Sequence, residues 1–341
     1  MTATEDFLYD LPAAAISQEA IEPRDAARLL NANTLSDGTV ADLPGLLRAG
    51  DLIVVNSTRV RSARLHGTKR GTGGAVEVLL LGRTDDGLWE ALVRPARRIR
   101  AGARLDFDRI DGEVRSDPID GVVKLHLESR EGHVEDVLPL VGELPLPPYF
   151  QGALSNDDRY QTMFAKTVGS AAAPTAGLHF TPRLAEDLAS RGVSIAEVEL
   201  EVGLDTFRPI SAPTLEDHEM HRERFHVPES TAALINHARG SGKRVVAVGT
   251  TVVRTLESAT DESGLVAPGA SDTGLFILPG YEFRVVDAVL TNFHAPGTTL
   301  IVLIAAILGE SWRGVYAAAL ERGYRFLSFG DAMFIDGVRA R

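Results

Sequence analysis

No cysteine occurs in the 341 residues. That excludes a disulfide framework, a thiolate nucleophile and any cysteine-held zinc or iron–sulfur centre. The opening segment, MTATEDFLYDLPAAAIS, lacks the basic start and apolar stretch of a secretory signal. The longest apolar run, Leu300 to Leu308, falls well short of a bilayer span. Positive charge is also scarce: the net charge of −12 excludes a surface coated throughout for nucleic acid. Neither a P-loop nor a G-x-G-x-x-G is present, nor any internal repeat. These absences leave a cytoplasmic, folded protein as the expectation, and the length favours two domains over one.

What is present centres on Gly169–Thr181, GSAAAPTAGLHFT. Pro174 and Gly177 argue against a helix, and the alanines argue against a strand. The stretch reads as a tight loop whose small residues allow close backbone approach. Thr181 followed by Pro182 starts a helix, as N-cap and first-turn proline. His179 then lies just before a helix N-terminus, which favours anions.

Elsewhere the chain changes texture twice. Asp25 is expected to cap a short helix through Leu30, and another short helix follows Asp42. Asp51–Val55 is a buried strand ending in the polar loop Asn56-Ser57-Thr58-Arg59, where open α/β sheets place ligands. From residue 61 to 149 short β-like runs recur at Val76–Leu81, Leu88–Val93, Arg104–Phe107 and Val122–Leu127. Turns such as Asp85-Asp86-Gly87 separate them, which suggests an antiparallel sheet or small barrel. Between Arg59 and Arg104 eleven Lys/Arg face four acids, a local net of +7 and a remainder of −19. Arg94, Arg97 and Arg98 lie there on a loop without interleaved aromatics, which suits phosphate contact better than base stacking.

The second half alternates. A helix at Leu184–Arg191, a strand at Ser194–Val202, a helix at Thr231–Arg239 and a strand at Arg244–Val248 follow in order. Gly249-Thr250-Thr251 then opens a helix through Ala259, a candidate anion site. Phe276–Leu278, Val285–Thr291 and the Leu300 run continue the rhythm. His218 and His221, three apart around Glu219, would share a helix face, but not at the H-E-x-x-H zinc spacing. The architecture expected is an α/β main domain, a mixed sheet flanked by helices, over 1–60 and 150–341. An antiparallel, basic β-barrel is inserted at 61–149.

Many of these segments together resemble one family, the S-adenosylmethionine:tRNA ribosyltransferase-isomerases of queuosine biosynthesis. The likeness runs through Asn56–Val60, Arg64–Gly67, Thr72–Leu81, Trp89–Arg98, Gly142–Tyr149, Gly169–Thr181, Thr206–Pro209 and His218–His221. It continues through Ala247–Ala259, Pro279–Asp287, Leu290–His294 and Tyr324–Met333. The resemblance implies an α/β domain interrupted by a barrel, and S-adenosylmethionine as co-substrate without a metal. It implies transfer and isomerisation of the ribosyl group onto 7-aminomethyl-7-deazaguanine at the tRNA wobble position. Epoxyqueuosine, adenine and methionine result. A monomer acting on the tRNA anticodon region, away from membranes, is expected.

That chemistry needs a proton acceptor near neutral pH, which suits histidine or a carboxylate. His179, His294, Glu219, His221 and Asp331 are the catalytic candidates, with His179, His294 and Asp331 expected in one cavity. Asn56, Thr58, Arg59, Thr175, Gly177, Thr250 and Thr251 are candidates for substrate binding. Phe180, Tyr281 and Phe293 could face the sulfonium, and Arg94, Arg97 and Arg98 could meet tRNA phosphate. Four positions depart from the family pattern. Glu201, Asp205, Gly274 and Gly297 stand where the family has His, Gly, Asp and a basic residue. Two alternatives therefore stay open: a divergent relative with another acceptor, and an RNA-binding protein without catalysis.

Overall fold

The computed structural model describes residues 2–84, 86–152, 154, 156–203, 206 and 208–339; Asp85 and Asp205 lie outside them. The chain divides into two compact units, one of 1–59, 147–167 and 173–341, the other of 60–146 and 168–172.

The larger unit is built on a nine-stranded sheet. Its order is Gly269–Thr273, Glu223–Val227, Ser194–Leu200, Leu52–Asn56, Val245–Val248, Ala288–Asn292, Ala332–Asp336, Arg28–Asn31 and Ser36–Thr39. The four strands from Ser194–Leu200 to Ala288–Asn292 run parallel. Every residue of Leu52–Asn56, Val245–Val248 and Ala288–Asn292 is buried, as unbroken β-branched runs require when helices cover both faces. Ala332–Asp336 runs antiparallel to Ala288–Asn292 and brings Ala332 beside Asn292. The carboxyl ends of the parallel strands and the loop before Ala332 therefore meet at one edge.

A buried ion pair closes the opposite edge. Arg244, 3% exposed, donates through Nε to Asp51 Oδ2 at 3.1 Å and through Nη1 to Asp336 at 2.7 Å. Asp51, 2% exposed, also accepts from the Arg48 backbone at 2.8 Å. Removing one partner strands a buried charge. Arg244→Leu should therefore lower unfolding stability by about 3–5 kcal/mol, read from the urea midpoint. A midpoint unchanged from wild type would show the pair to be dispensable.

Several elements differ from the sequence expectations. No helix runs from Asp25 to Leu30: Arg24–Ala26 is a single 3₁₀ turn and Arg28–Asn31 is a strand paired with Ala332–Asp336. Asp25 instead accepts from Thr181 Oγ1 at 2.7 Å and Arg183 at 2.9 Å. His218 and His221 share no helix face, because residues 218–222 are irregular and lead into the strand Glu223–Val227. Phe276–Leu278 is also irregular. Val285 and Val286 lie outside the strand because the Glu257 carboxylate takes their N–H groups, at 3.2 and 3.1 Å.

The helix Pro182–Ser190 starts as its sequence dictates, with Thr181 Oγ1 accepting from Leu184 N. The run Thr299–Glu321 is long and apolar enough to cross a membrane by length and composition. It is, however, two helices, Thr299–Leu308 and Trp312–Glu321, parted at Gly309, and most of the first is buried in the core.

The seven-stranded sheet of the smaller unit is antiparallel. Strands Gly142–Glu143, Arg64–Lys69, Ala75–Arg83, Trp89–Arg94, Val122–Ser129, Ile110–Val114 and Arg104–Phe107 pair in that order. Arg64–Lys69 also pairs with Arg104–Phe107, closing six of them into a barrel. Strict alternation fills its interior with Leu65, Val78, Leu80, Ala91, Leu105 and Leu125. Arg94, Arg97 and Arg98 are exposed around a 3₁₀ turn, Ala96–Arg98. Among the described residues none of the three makes an ion pair; Glu77, opposite Arg94 in the sheet, lies 4.0 Å from Arg64.

Candidate active site

A cleft taking in about 620 Å³ of space, open solvent at its mouth included, lies in the larger unit where the parallel strands end. Four segments line it: Ala173–Ala176, Gly249–Thr251, Thr291–Ala295 and Leu327–Ser328, joined by Tyr149, Val202, Thr206, Thr298 and Leu300. Hydroxyls dominate its polar lining, and no Lys, Arg, Asp or Glu of the described residues faces it.

His294 is the imidazole in this wall. Its Nε2 lies 3.1 Å from Thr291 Oγ1. Its backbone is held at both ends: the N–H donates to Tyr316 Oη at 3.1 Å, and the carbonyl accepts from Tyr9 Oη. Burial pushes the His294 pKa down to about 3, so the ring is neutral at pH 7. Tyr149 Oη and Ser328 Oγ share a hydrogen bond in the cavity wall, and burial raises the Tyr149 phenol to about 12.

His179 reaches this cavity only through Asn292. Asn292 Oδ1 accepts from Thr175 Oγ1 at 3.2 Å, which orients the amide, and Nδ2 donates to the Leu327 carbonyl at 3.2 Å. The same Nδ2 lies 3.2 Å from His179 Nε2. An amide nitrogen only donates, so His179 Nε2 carries no proton and the ring is neutral. Burial agrees, lowering His179 to about 4 despite the nearby charge of Asp331. His179 itself lines a second, smaller cleft with Arg24, Leu178 and Gly330. His179 therefore contacts Asn292 and not the main cavity.

Asp331 does not face the cavity. Its Oδ1 accepts from Arg28 N at 3.1 Å and Arg325 Nη2 at 2.9 Å, and its Oδ2 accepts from Arg325 N at 2.8 Å. The carboxylate pins the loop that delivers Leu327 and Ser328. Gly330 is required in that loop, since a Cβ there would meet the Arg325 carbonyl at 2.4 Å. Glu219 and His221 line a separate cavity with His218, Arg208, Arg222 and Thr299. His221 Nε2 is 3.3 Å from buried Glu223, which also pairs with Arg254. Burial alone would raise the Glu223 carboxyl, but His221 and Arg254 outweigh it and hold it low.

Of the substrate-binding candidates, Thr175, Thr250, Thr251 and Phe293 line the cavity. The ring of Phe293, however, packs among Phe326, Tyr316 and Tyr324 at centroid distances of 4.8, 5.5 and 5.6 Å. The others are engaged elsewhere. Asn56 holds Leu200 and Thr58. Arg59 pairs with Asp158 at 3.5 Å. Phe180 sits in the core against Phe164, and Gly177 packs on Thr162. Tyr281 donates to Glu257 at 3.3 Å. Of the departing positions, Glu201 N–H donates to the Arg224 carbonyl, Gly274 lies beside Arg222 and Gly297 has φ +67°. No cluster that could hold a metal ion occurs among the described residues.

Tyr149 and Ser328 were not candidates from sequence. Tyr149 closes the proline-rich Gly142–Tyr149 segment and Ser328 precedes Gly330, so each lay inside a segment already matched to the family.

Against known proteins, residues 4–335 match the model of a family described as "Queuosine biosynthesis protein". The S-adenosylmethionine:tRNA ribosyltransferase-isomerase of Moorella thermoacetica is 47% identical over 97% of this chain and 99% of its own. That of Symbiobacterium thermophilum is 48% identical over 97% and 98%. A crystal structure of S-adenosylmethionine tRNA ribosyltransferase from Thermotoga maritima is 35% identical, with a TM-score of 0.54, over 97% of this chain and 99% of that one. An α/β unit with a closed barrel, matched from end to end, makes this chain a member of the queuosine biosynthesis protein family.

Proposed function

We propose that the protein transfers and isomerises the ribosyl moiety of S-adenosylmethionine onto 7-aminomethyl-7-deazaguanine at the tRNA wobble position. The products are epoxyqueuosine-tRNA, adenine and methionine. The observation that carries this reading is 47% identity over 97% of the chain to an enzyme of that name. The cavity supports it chemically. The sulfonium acidifies the adjoining ribose 5′ protons, and neutral His294 is an available acceptor. An imidazolium so formed is a strong acid, able to return its proton to departing adenine. The acceptor amine then bonds to the sugar carbon that adenine has left and releases one N–H proton to solvent, and methionine leaves with the C–S bond pair as a sugar oxygen closes the epoxide. Thr291 orients His294, and His179 orients Asn292.

The test is incubation of S-adenosylmethionine with tRNA carrying the deazaguanine precursor, followed by mass spectrometry of the tRNA and assay of adenine. A mass gain with stoichiometric adenine is expected. Adenine released without dependence on the tRNA would point to another acceptor. No release under any condition would overturn the reading.

The exposed Arg94, Arg97 and Arg98 are proposed to meet tRNA phosphate near the anticodon. Replacing all three with glutamine should weaken tRNA binding and flatten its salt dependence by about one unit of slope per lost contact. An unchanged slope would exclude them. A cytoplasmic monomer fits this role, and sedimentation would test the monomer.

A further inference from the structure

The helix Thr250–Ala259 turns its first residues to the cavity, and no side chain among the described residues caps them. Gly249, the N-cap, has φ +88° and no side chain to accept a hydrogen bond. The leading N–H groups of a helix have no acceptor of their own. Here Val253 N–H bonds back to the Gly249 carbonyl at 3.3 Å, and the residues before it precede the ladder. Thr250 and Thr251 are only 6% and 9% exposed and both line the cavity, which is the route by which an acceptor reaches this first turn.

A second observation is independent of the backbone. Thr251 Oγ1 is buried without a hydrogen-bond partner among the described residues, yet Thr251 lines the cavity. An unmade hydrogen bond of this kind is costly unless a ligand completes it. The positive end of the helix dipole adds to these donors, and no Lys or Arg of the described residues lines the cavity. Donors converging on a positive helix end select an anion.

We infer that this turn holds the carboxylate of the methionyl end of S-adenosylmethionine, with the Thr251 hydroxyl and the first-turn N–H groups as donors. The inference rests on the proposed reaction, whose co-substrate carries one carboxylate. It also sets an orientation. The same helix end that attracts the carboxylate repels the sulfonium, which favours the sulfonium and its ribose on the Thr291–His294 side.

The experiment compares S-adenosylmethionine with its decarboxylated analogue by equilibrium dialysis, with tRNA lacking the acceptor base present. Wild type should prefer S-adenosylmethionine by roughly 10- to 100-fold. Thr251→Val, which keeps the branched shape, should lose about 5- to 10-fold for S-adenosylmethionine and nothing for the analogue. Thr251→Ser should restore the preference. Equal weakening of both ligands, or of neither, would overturn the inference. So would a Thr251→Val enzyme that binds S-adenosylmethionine normally but shows a raised KM for tRNA, since the turn would then hold a phosphate. Failure of the reaction itself is recognised separately, as a wild-type enzyme that releases no adenine.

Discussion

Glutamine in place of His294 is expected to slow adenine release by about 10²- to 10⁴-fold, the usual contribution of a positioned proton acceptor. Glutamine matches the ring in reach and can still bond Thr291 Oγ1, now 3.1 Å from Nε2. It cannot take up a proton. The backbone contacts to Tyr316 and Tyr9 do not involve the ring, so the loop should hold. The loss should fall on kcat, with KM for S-adenosylmethionine nearly constant. His179→Gln is the informative control: it disturbs Asn292 at one remove, and the loss should be nearer tenfold. A His294→Gln enzyme with kcat within threefold of wild type would remove the residue from the chemistry.

That contrast between two histidines was not legible in the sequence. Both stand beside glycine- or proline-bearing loops, and both looked equally able to serve. What separates them is tertiary: Asn292 stands between His179 and the cavity, while His294 forms part of its wall. Elements with strong local signals were legible. Buried β-branched runs marked Leu52–Asn56 and Val245–Val248, Thr181-Pro182 marked a helix start, and alternation marked the barrel strands. Local signals failed where a distant side chain captured the backbone. Glu257 takes the N–H groups of Val285 and Val286, and Asp331 takes that of Arg28. Aromatic type was no better a guide to facing. Ring type says nothing about which way a ring faces, and Phe180 and Tyr281 face neighbours away from the cavity. Polar candidates such as Asn56 and Asp331 were recognised as important residues, but their hydrogen bonds hold the framework.

Acid should unfold the α/β unit in a window set by these same histidines. Burial is the leading cause of both shifts, to about 4 for His179 and about 3 for His294. For His179, the charge of Asp331 and the Arg24 backbone oppose that shift, and Arg325 and the Arg24 charge reinforce it. His218 is lowered too, by burial and then by His221. In the unfolded chain each takes up a proton near pH 6.5. The native state does not, so between pH 6.5 and 4 the unfolded state binds more protons and stability rises with pH. The stabilisation is complete above about 6.5 and is lost as pH falls towards the native values. At about 1.4 kcal/mol per pH unit for each group, His179 and His294 together forfeit about 5–7 kcal/mol by pH 4. That is the size of a whole folding free energy. Depressed carboxylates such as Asp25 and Glu223 act lower, below their ordinary range, so the interval from 6.5 to 4.5 isolates the histidines. The two tryptophans fall one in each unit, and a Trp89→Phe background leaves Trp312 to report on the α/β unit alone. Its urea midpoint should drop steadily from pH 6.5 to 4.5, and His294→Gln should remove roughly a third to a half of that slope. A midpoint flat across the interval would mean that neither imidazole is kept from its proton by burial, and the two histidines would be excluded as the cause of acid lability.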